Sequence, residues 1–253
     1  MSVNRNRIII VGATSRIAEY CARLWLEQAP ADLVLIARNQ EKVQKIAADL
    51  EVRSPASTIT VLETDFTDPK KIQELADKLA SENPIHIALI AHGSLADQKE
   101  CETDLSKAEE SLLINGVSPV LFAEAFAGHM EKQNFGSLAI IGSVAGDRGR
   151  KTNYIYGAGK GLVEKYAQGL QHRLAATGVK VSLIKPGPTD TPMTAQIKEQ
   201  GKGRGLADPQ DVAKAIIAGV QKGKATIYAP PKWALIMLII RFMPNFIFNK
   251  LNI

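Results

Sequence analysis

Seven short apolar runs punctuate this chain, at residues 7–11, 33–37, 59–63, 85–91, 137–142, 179–185 and 225–228. Between them lie longer stretches with the spacing of amphipathic helices, among them 17–28, 70–80, 105–132, 154–176 and 209–221. Strand alternating with helix favours right-handed crossovers and a doubly wound parallel sheet. The expected architecture is therefore a three-layer α/β Rossmann-type fold around a parallel seven-stranded sheet. At 253 residues, with 45% hydrophobic and 23% charged residues, the chain can bury such a core as one unit. It divides into one domain over 1–230, with a glycine-rich basic lid near 189–207, and an apolar tail over 231–253. In such sheets ligands sit beyond the carboxyl ends of the strands, which singles out the loops to read.

The first of these loops is "VGATSRIAEY", directly after Ile8-Ile9-Ile10. A strand, a glycine turn and a helix start form a pyrophosphate cradle, because free N–H groups and the helix dipole favour an anion. Gly12, Thr14, Ser15, Arg16 and Ile17 are the candidates. The later glycine slots of the usual fingerprint fall on Arg16 and Ala18, so a plain βα turn stands as an equal reading of this stretch alone. The second strand ends in Ala37-Arg38, without the acidic residue that accepts ribose hydroxyls, and Arg38 suits a phosphate instead. The cofactor expectation is NADP(H) over NAD, with Arg16 reaching the same phosphate from the other side.

The densest chemistry lies in "IIGSVAGDRGRKTNYIYGAGKGLVEKY". Tyr156 and Lys160 are four apart and share a helix face, so the ammonium can stabilise tyrosinate. Tyrosine, with a reference pKa of about 10, needs such positive charge to work near neutrality. Ser143 lies thirteen residues before Tyr156, at a strand end, placed to hydrogen-bond a substrate oxygen. Gly157, Gly159 and Gly161 each cost a helix roughly 0.5–1 kcal/mol relative to alanine, which implies a cofactor or a partner segment approaching closely. His86, His92, His129 and His172 have no ligand spacing, so no metal is expected. Cys21 and Cys101 are too far apart for a metal or disulfide framework and read as packing residues of a cytoplasmic protein. The N-terminal apolar run is too short for a secretory signal. A net charge of +5 and a pI near 9.1 select no partner, and nucleic acid is not expected.

Together, Ser143, Tyr156-Gly-Ala-Gly-Lys160, Asn115 in "LLINGVSPV", "TDF" at 64–66, "AHG" at 91–93 and "KPGPTDTPM" at 185–193 resemble the short-chain dehydrogenase/reductase superfamily. The resemblance implies Tyr156 as general acid in carbonyl reduction and Lys160 as holder of the nicotinamide ribose. Ser143 would orient the carbonyl, and Asn115 would hold a water linking Lys160 to solvent. It further implies Asp65 and Phe66 beside the adenine, Ala91, His92 and Gly93 beneath the adenosine ribose, and Pro186, Gly187, Thr189 and Thr191 around the nicotinamide. The family also implies a homodimer or homotetramer. The departures are Arg16 and Ala18 in the glycine turn and "IAHG" in place of an Asn-Asn-Ala-Gly run.

Substrate clues lie at two places. Arg148, Arg150 and Lys151 follow Ser143, and Lys198, Lys202 and Arg204 fall in the lid. These cations are either solvated or set for an anionic substrate. The tail has an unbroken apolar run over 233–240, then Arg241, Pro244 and Phe246-Ile247-Phe248. About twenty apolar residues are needed to span a bilayer, so two short interfacial helices are expected, or packing on a neighbouring subunit. With the "GDRGRK" and "KPGPTDTPM" segments, the tail resembles the branch that includes the reductase partner of decaprenylphosphoryl-ribose epimerase. That implies a keto sugar on a polyprenyl phosphate. An acyl-chain or sterol-like ketone is the alternative within the class, and a non-catalytic NADP(H) sensor the alternative outside it.

Overall fold

The computed structural model describes residues 5–195, Glu199 and 205–251. Seven strands are present: β1 (Asn6–Val11), β2 (Ala31–Ala37), β3 (Thr58–Glu63), β4 (Ile87–Ile90), β5 (Gly136–Ile141), β6 (Val179–Pro186) and β7 (Thr226–Ala229). They form one sheet in the order β3-β2-β1-β4-β5-β6-β7, and every pairing is parallel. The helices are α1 (Arg16–Gln28), α2 (Gln40–Arg53), α3 (Pro69–Glu82), α4 (Gln98–Thr103), α5 (Leu105–Leu112), α6 (Ser118–Gln133), α7 (Tyr154–Arg173), α8 (Pro209–Gln221), α9 (Lys232–Phe242) and α10 (Asn245–Phe248).

Helix starts are set locally. Asn39, Asp68, Asp97, Asp104 and Asp208 each occupy an N-cap and accept hydrogen bonds from first-turn N–H groups. The core lies on both faces of the sheet, since alternate strand residues point opposite ways. On one face Ile8, Ile10, Leu33 and Leu35 pack against Trp25, Ile216 and Val220. On the other, Ile9, Val34 and Ile36 belong with Phe66, Phe122, Phe126 and Leu79.

The structure differs from the sequence reading at two places that matter. The stretch expected as one helix over 105–132 is broken by a π-helical turn at Leu113–Val117, between α5 and α6. Such turns insert a residue into the helical ladder and are frequent at functional sites. This one carries the fully buried Asn115. The short α4 had no counterpart, because its six polar residues are too few to show an apolar period. Thr189 and Ala207, the ends of the segment expected as a lid, form a parallel bridge. Lys198, Lys202 and Arg204 lie outside the described residues.

Strand order turns back on itself between β1 and β4, so the loops after these two strands diverge and leave a crevice at their carboxyl ends. Phe126 is fully buried beneath that region. Phe126→Ala is expected to cost about 3–5 kcal/mol, read as a lower urea midpoint with an unchanged slope.

Candidate active site

The crevice is a cleft of about 860 Å³ whose walls include most of the residues singled out above. At one end is the β1–α1 turn. Gly12 has φ +83°, and a Cβ there would lie 2.5 Å from the His92 backbone nitrogen. Neither shape nor space admits a side chain. Ser15 is the α1 N-cap, yet its side chain makes no capping bond, and the first-turn N–H groups have no partner within the helix. Thr14, Ser15, Arg16 and Ile17 all line the cleft.

Arg38 lines the same end, 5.8 Å over the Phe66 ring. Arg16 is less free than expected. Its guanidinium is 2.9 Å from Glu19 and sits 5.2 Å over the Tyr20 ring, both on its own helix. Lys42, one turn into α2, is the further cation on this wall. Reading to the strand end stopped short of it. Asp65, expected beside the adenine, bonds within its own loop. Its carboxylate accepts from the Thr67 hydroxyl at 2.7 Å and the Thr67 N–H at 2.8 Å, bonds that hold it below the usual carboxylate range, and it lies off the cleft wall. Phe66 does line it.

Ala91, His92 and Gly93 form the floor after β4. The His92 ring turns into the core, 4.7 Å from Phe66 and 5.4 Å from Phe122. Its Nε2 meets Ser118 Oγ at 2.8 Å, while the Ser118 hydroxyl donates to Phe66 O at 2.5 Å. That serine proton is spent, so His92 Nε2 is the donor and the ring is neutral. Burial keeps its pKa well below the ordinary histidine value, helped by Lys160 and Arg38.

The other end gathers Ser143, Tyr156 and Lys160. Ser143 Oγ accepts from Ala145 N–H at 3.1 Å and lies against the Tyr156 phenol. Burial raises the Tyr156 pKa, with the Ser143 hydrogen bond and the Arg150 charge opposing it. Lys160 lies on the same wall of the cleft. Its Nζ donates to Ile141 O at 3.1 Å, stands 5.9 Å from the Tyr156 ring centre, and is itself desolvated, with its pKa lowered to about 8.

Asn115 accepts from Ser94 N–H at 2.9 Å and donates to Ser111 O at 2.9 Å. Gly93 leaves the room between its oxygen and Lys160 Nζ, since a Cβ there would sit 2.9 and 3.5 Å from them. The helix glycines are explained by protein, not ligand. A Cβ on Gly159 would lie 3.2 Å from Asn115 Cβ, and one on Gly157 2.9 Å from Ala145 O. Thus α7 is drawn onto both segments that carry the other polar groups. Pro186, Gly187, Thr189 and Thr191 line the opposite wall, with the Thr194 hydroxyl donating to Thr189 O at 2.7 Å.

Two features were not legible in the sequence. Lys185 on β6 is buried, paired with Asp147 and, at 2.8 Å, with Glu164 of α7, while Tyr228 of β7 donates to Asp147 Oδ2 at 2.9 Å. These residues are spread across the chain and share no spacing. The second concerns the cations after Ser143. Arg148 does not face the mouth: it donates to Ile240 O (2.6 Å), Met243 O (2.5 Å) and Asn245 Oδ1 (2.7 Å), and lies 3.8 Å over the Phe248 ring. It thereby caps the C-terminal end of α9. Lys151 is exposed, and Arg150 lines the cleft. Among the described residues no His, Cys, Asp and Glu group has the makings of a metal site.

The model of the short chain dehydrogenase family matches residues 6–202. An uncharacterized oxidoreductase of Mycobacterium tuberculosis is 31% identical over 247 residues, covering 96% of each chain. Among solved structures, a short-chain dehydrogenase from Sphingobium yanoikuyae in complex with NADPH superposes with a TM-score of 0.81 at 22% identity, covering 95% of this chain and 97% of that one. One from Burkholderia cenocepacia in complex with NADP gives 0.83 at 17% identity over all of both chains. The chain belongs to the short-chain dehydrogenase/reductase family, a family of oxidoreductases.

The Arg148 clamp makes a direct prediction. Arg148→Ala should leave 5–230 folded but release the tail, so that trypsin cuts at Lys232 and Arg241 faster than in the parent. Equal cleavage rates would show that the tail holds without the clamp.

Proposed function

We propose that this protein is an NADP(H)-dependent oxidoreductase that reduces a ketone to a secondary alcohol, or runs the reverse, with Tyr156 as the general acid. The observation that carries the reading is the two-ended cleft: a side-chain-free turn and helix N-terminus with Arg38 and Lys42 at one end, and Ser143, Tyr156, Lys160 and Asn115 at the other. These residues fit the cofactor. The turn at Gly12 and the uncapped α1 N-terminus suit a pyrophosphate. Arg38 and Lys42, with no acid at the β2 end, suit an added ribose phosphate. When bound, NADP(H) supplies or takes up the hydride.

The chain's own groups do the rest. Ser143 Oγ and Tyr156 Oη hold the carbonyl oxygen, and Tyr156 gives it a proton. Burial keeps that proton on the phenol through neutral pH. Lys160 is cationic below about pH 8 and placed for ribose hydroxyls, and Asn115 holds the π turn against it. Because reduction needs tyrosine protonated and lysine charged, kcat/KM for reduction should be level below about pH 8 and fall above it as Lys160 loses its proton. Tyr156→Phe should abolish NADPH oxidation by any ketone while NADPH binding is kept. Turnover in that variant would remove Tyr156 from its role.

The finer reading is a lipid-linked, anionic keto sugar, handled at the cytoplasmic membrane face by a domain over 1–230 with a membrane-seeking tail. Its support is the tail. The buried side of α9 is Met237 with Trp233, Ile236 and Ile240, while Leu235 (64%), Phe242 (77%) and Phe246 (70%) are exposed. Residues 231–253 contain Lys232, Arg241 and Lys250 and no acidic residue. An apolar face rimmed only by cations suits an anionic bilayer surface. Self-association belongs to the same reading, supported by exposed Leu112, Val117 and Leu162 on α5, the π turn and α7. The protein should sediment with vesicles containing anionic lipid, and Leu235→Ser with Phe242→Ser should leave it in the supernatant. Equal sedimentation would detach the tail from the membrane.

A further inference from the structure

Arg150 and Asn153 lie in the segment between Ser143 and Tyr156, and both line the cleft beside the phenol. Among the described residues, Arg150 Nε and Asn153 Oδ1 are buried without a hydrogen-bond partner. Asn153 is the N-cap of α7, the position where an asparagine side chain ordinarily binds a first-turn N–H. That work is done from outside. The Ile155 N–H donates to Gln98 Oε1 of α4 at 3.1 Å, and Asn153 makes no side-chain capping bond.

Among the described residues Arg150 has no ion pair either. The nearest acid, Asp147, has one oxygen on Lys185 and the other on Tyr228. Of three cations within four residues, Arg148 is bound to the tail, Lys151 is in solvent, and only Arg150 is left in the cleft, partly buried and unpaired. Removing a guanidinium from water without a counter-charge is costly, and a cleft wall built of such donors is complementary to an anion.

We propose that Arg150 forms an anion subsite for the substrate, taking a phosphate or carboxylate oxygen carried within a few bonds of the carbonyl that Tyr156 protonates, with Asn153 Oδ1 accepting from a substrate hydroxyl. The proposal rests on the reductase reading and names its substrate class: a ketone with an anionic oxygen close to the reacting carbon. The guanidinium gives donors in one plane for the anion, and the unpartnered Asn153 Oδ1, an acceptor, takes a substrate hydroxyl. The anion is held on the Tyr156 side of the cleft, at the far end from Arg38 and Lys42, so it does not compete with the cofactor phosphates.

The test compares dihydroxyacetone phosphate, its dodecyl phosphodiester in detergent, and unphosphorylated dihydroxyacetone in NADPH oxidation. The parent should favour the phosphorylated ketones by tenfold or more in kcat/KM. Arg150→Met should reduce that preference at least tenfold, and Arg150→Lys should restore part of it. A general packing defect would lower all three substrates alike. Preference for the diester marks a lipid-linked source, and preference for the monoester a soluble phosphate. A parent with no preference, or a preference unchanged in Arg150→Met, overturns the subsite. Should NADPH be oxidised with none of the three, the reductase reading fails separately, and calorimetric binding of dihydroxyacetone phosphate to the NADP-loaded protein decides the subsite: loss in Arg150→Met upholds it, equal binding overturns it.

Discussion

The cleft depends on one buried cation. Lys185 leaves β6 beneath the site and holds Asp147, from the turn after β5, and Glu164, one turn of α7 beyond Lys160, while Tyr228 reaches Asp147 from β7. Four elements that contribute to the substrate end meet at that ammonium. Two carboxylates buried without it would repel each other and lose their solvation, so the lysine is as much a requirement of the fold as of the site. Its placement also settles the fates of the arginines. With Asp147 consumed, Arg148 turns outward to the tail and Arg150 inward to the cleft.

The tail is therefore joined to the catalytic wall and is not a loose appendage. Arg148 lies five residues after Ser143 and eight before Tyr156 and closes the carbonyl end of α9. Trp233, at the start of the same helix, packs on Gly187 of the opposite wall. The exposed Leu235, Phe242 and Phe246 are thus joined to both sides of the cleft by direct packing.

The two ends of the cleft solve different electrostatic problems. At the cofactor end, backbone N–H groups and exposed cations face an anion in a wet environment, so Arg38 and Lys42 need no fixed partner. At the reacting end the groups are desolvated, and each is held by a neighbour: Lys160 by Ile141 O, Tyr156 by Ser143, Asn115 by Ser94 and Ser111. Arg150 and Asn153 depart from that pattern, each lining the cleft with a buried polar atom that has no partner among the described residues.

Much of this was legible in the sequence because it is local. Apolar runs alternating with helical spacing fixed the sheet, and Tyr156 four residues before Lys160 fixed their shared face. Gly12 announced a turn that only glycine enters. What the sequence could not give is which way long side chains turn once distant elements pack. Arg16 and Arg38 look alike at strand ends, yet Glu19 one turn away claims Arg16. Arg148 and Arg150 are near neighbours in one basic stretch, but the carbonyls of α9, ninety residues on, draw only the first. Lys160 has the spacing to share a face with Tyr156, but its bond to Ile141 O comes only from α7 meeting the end of β5. Local sequence determines backbone conformation and the side chains available; the tertiary structure decides which buried charges find partners, because that depends on desolvation and distances no spacing rule contains.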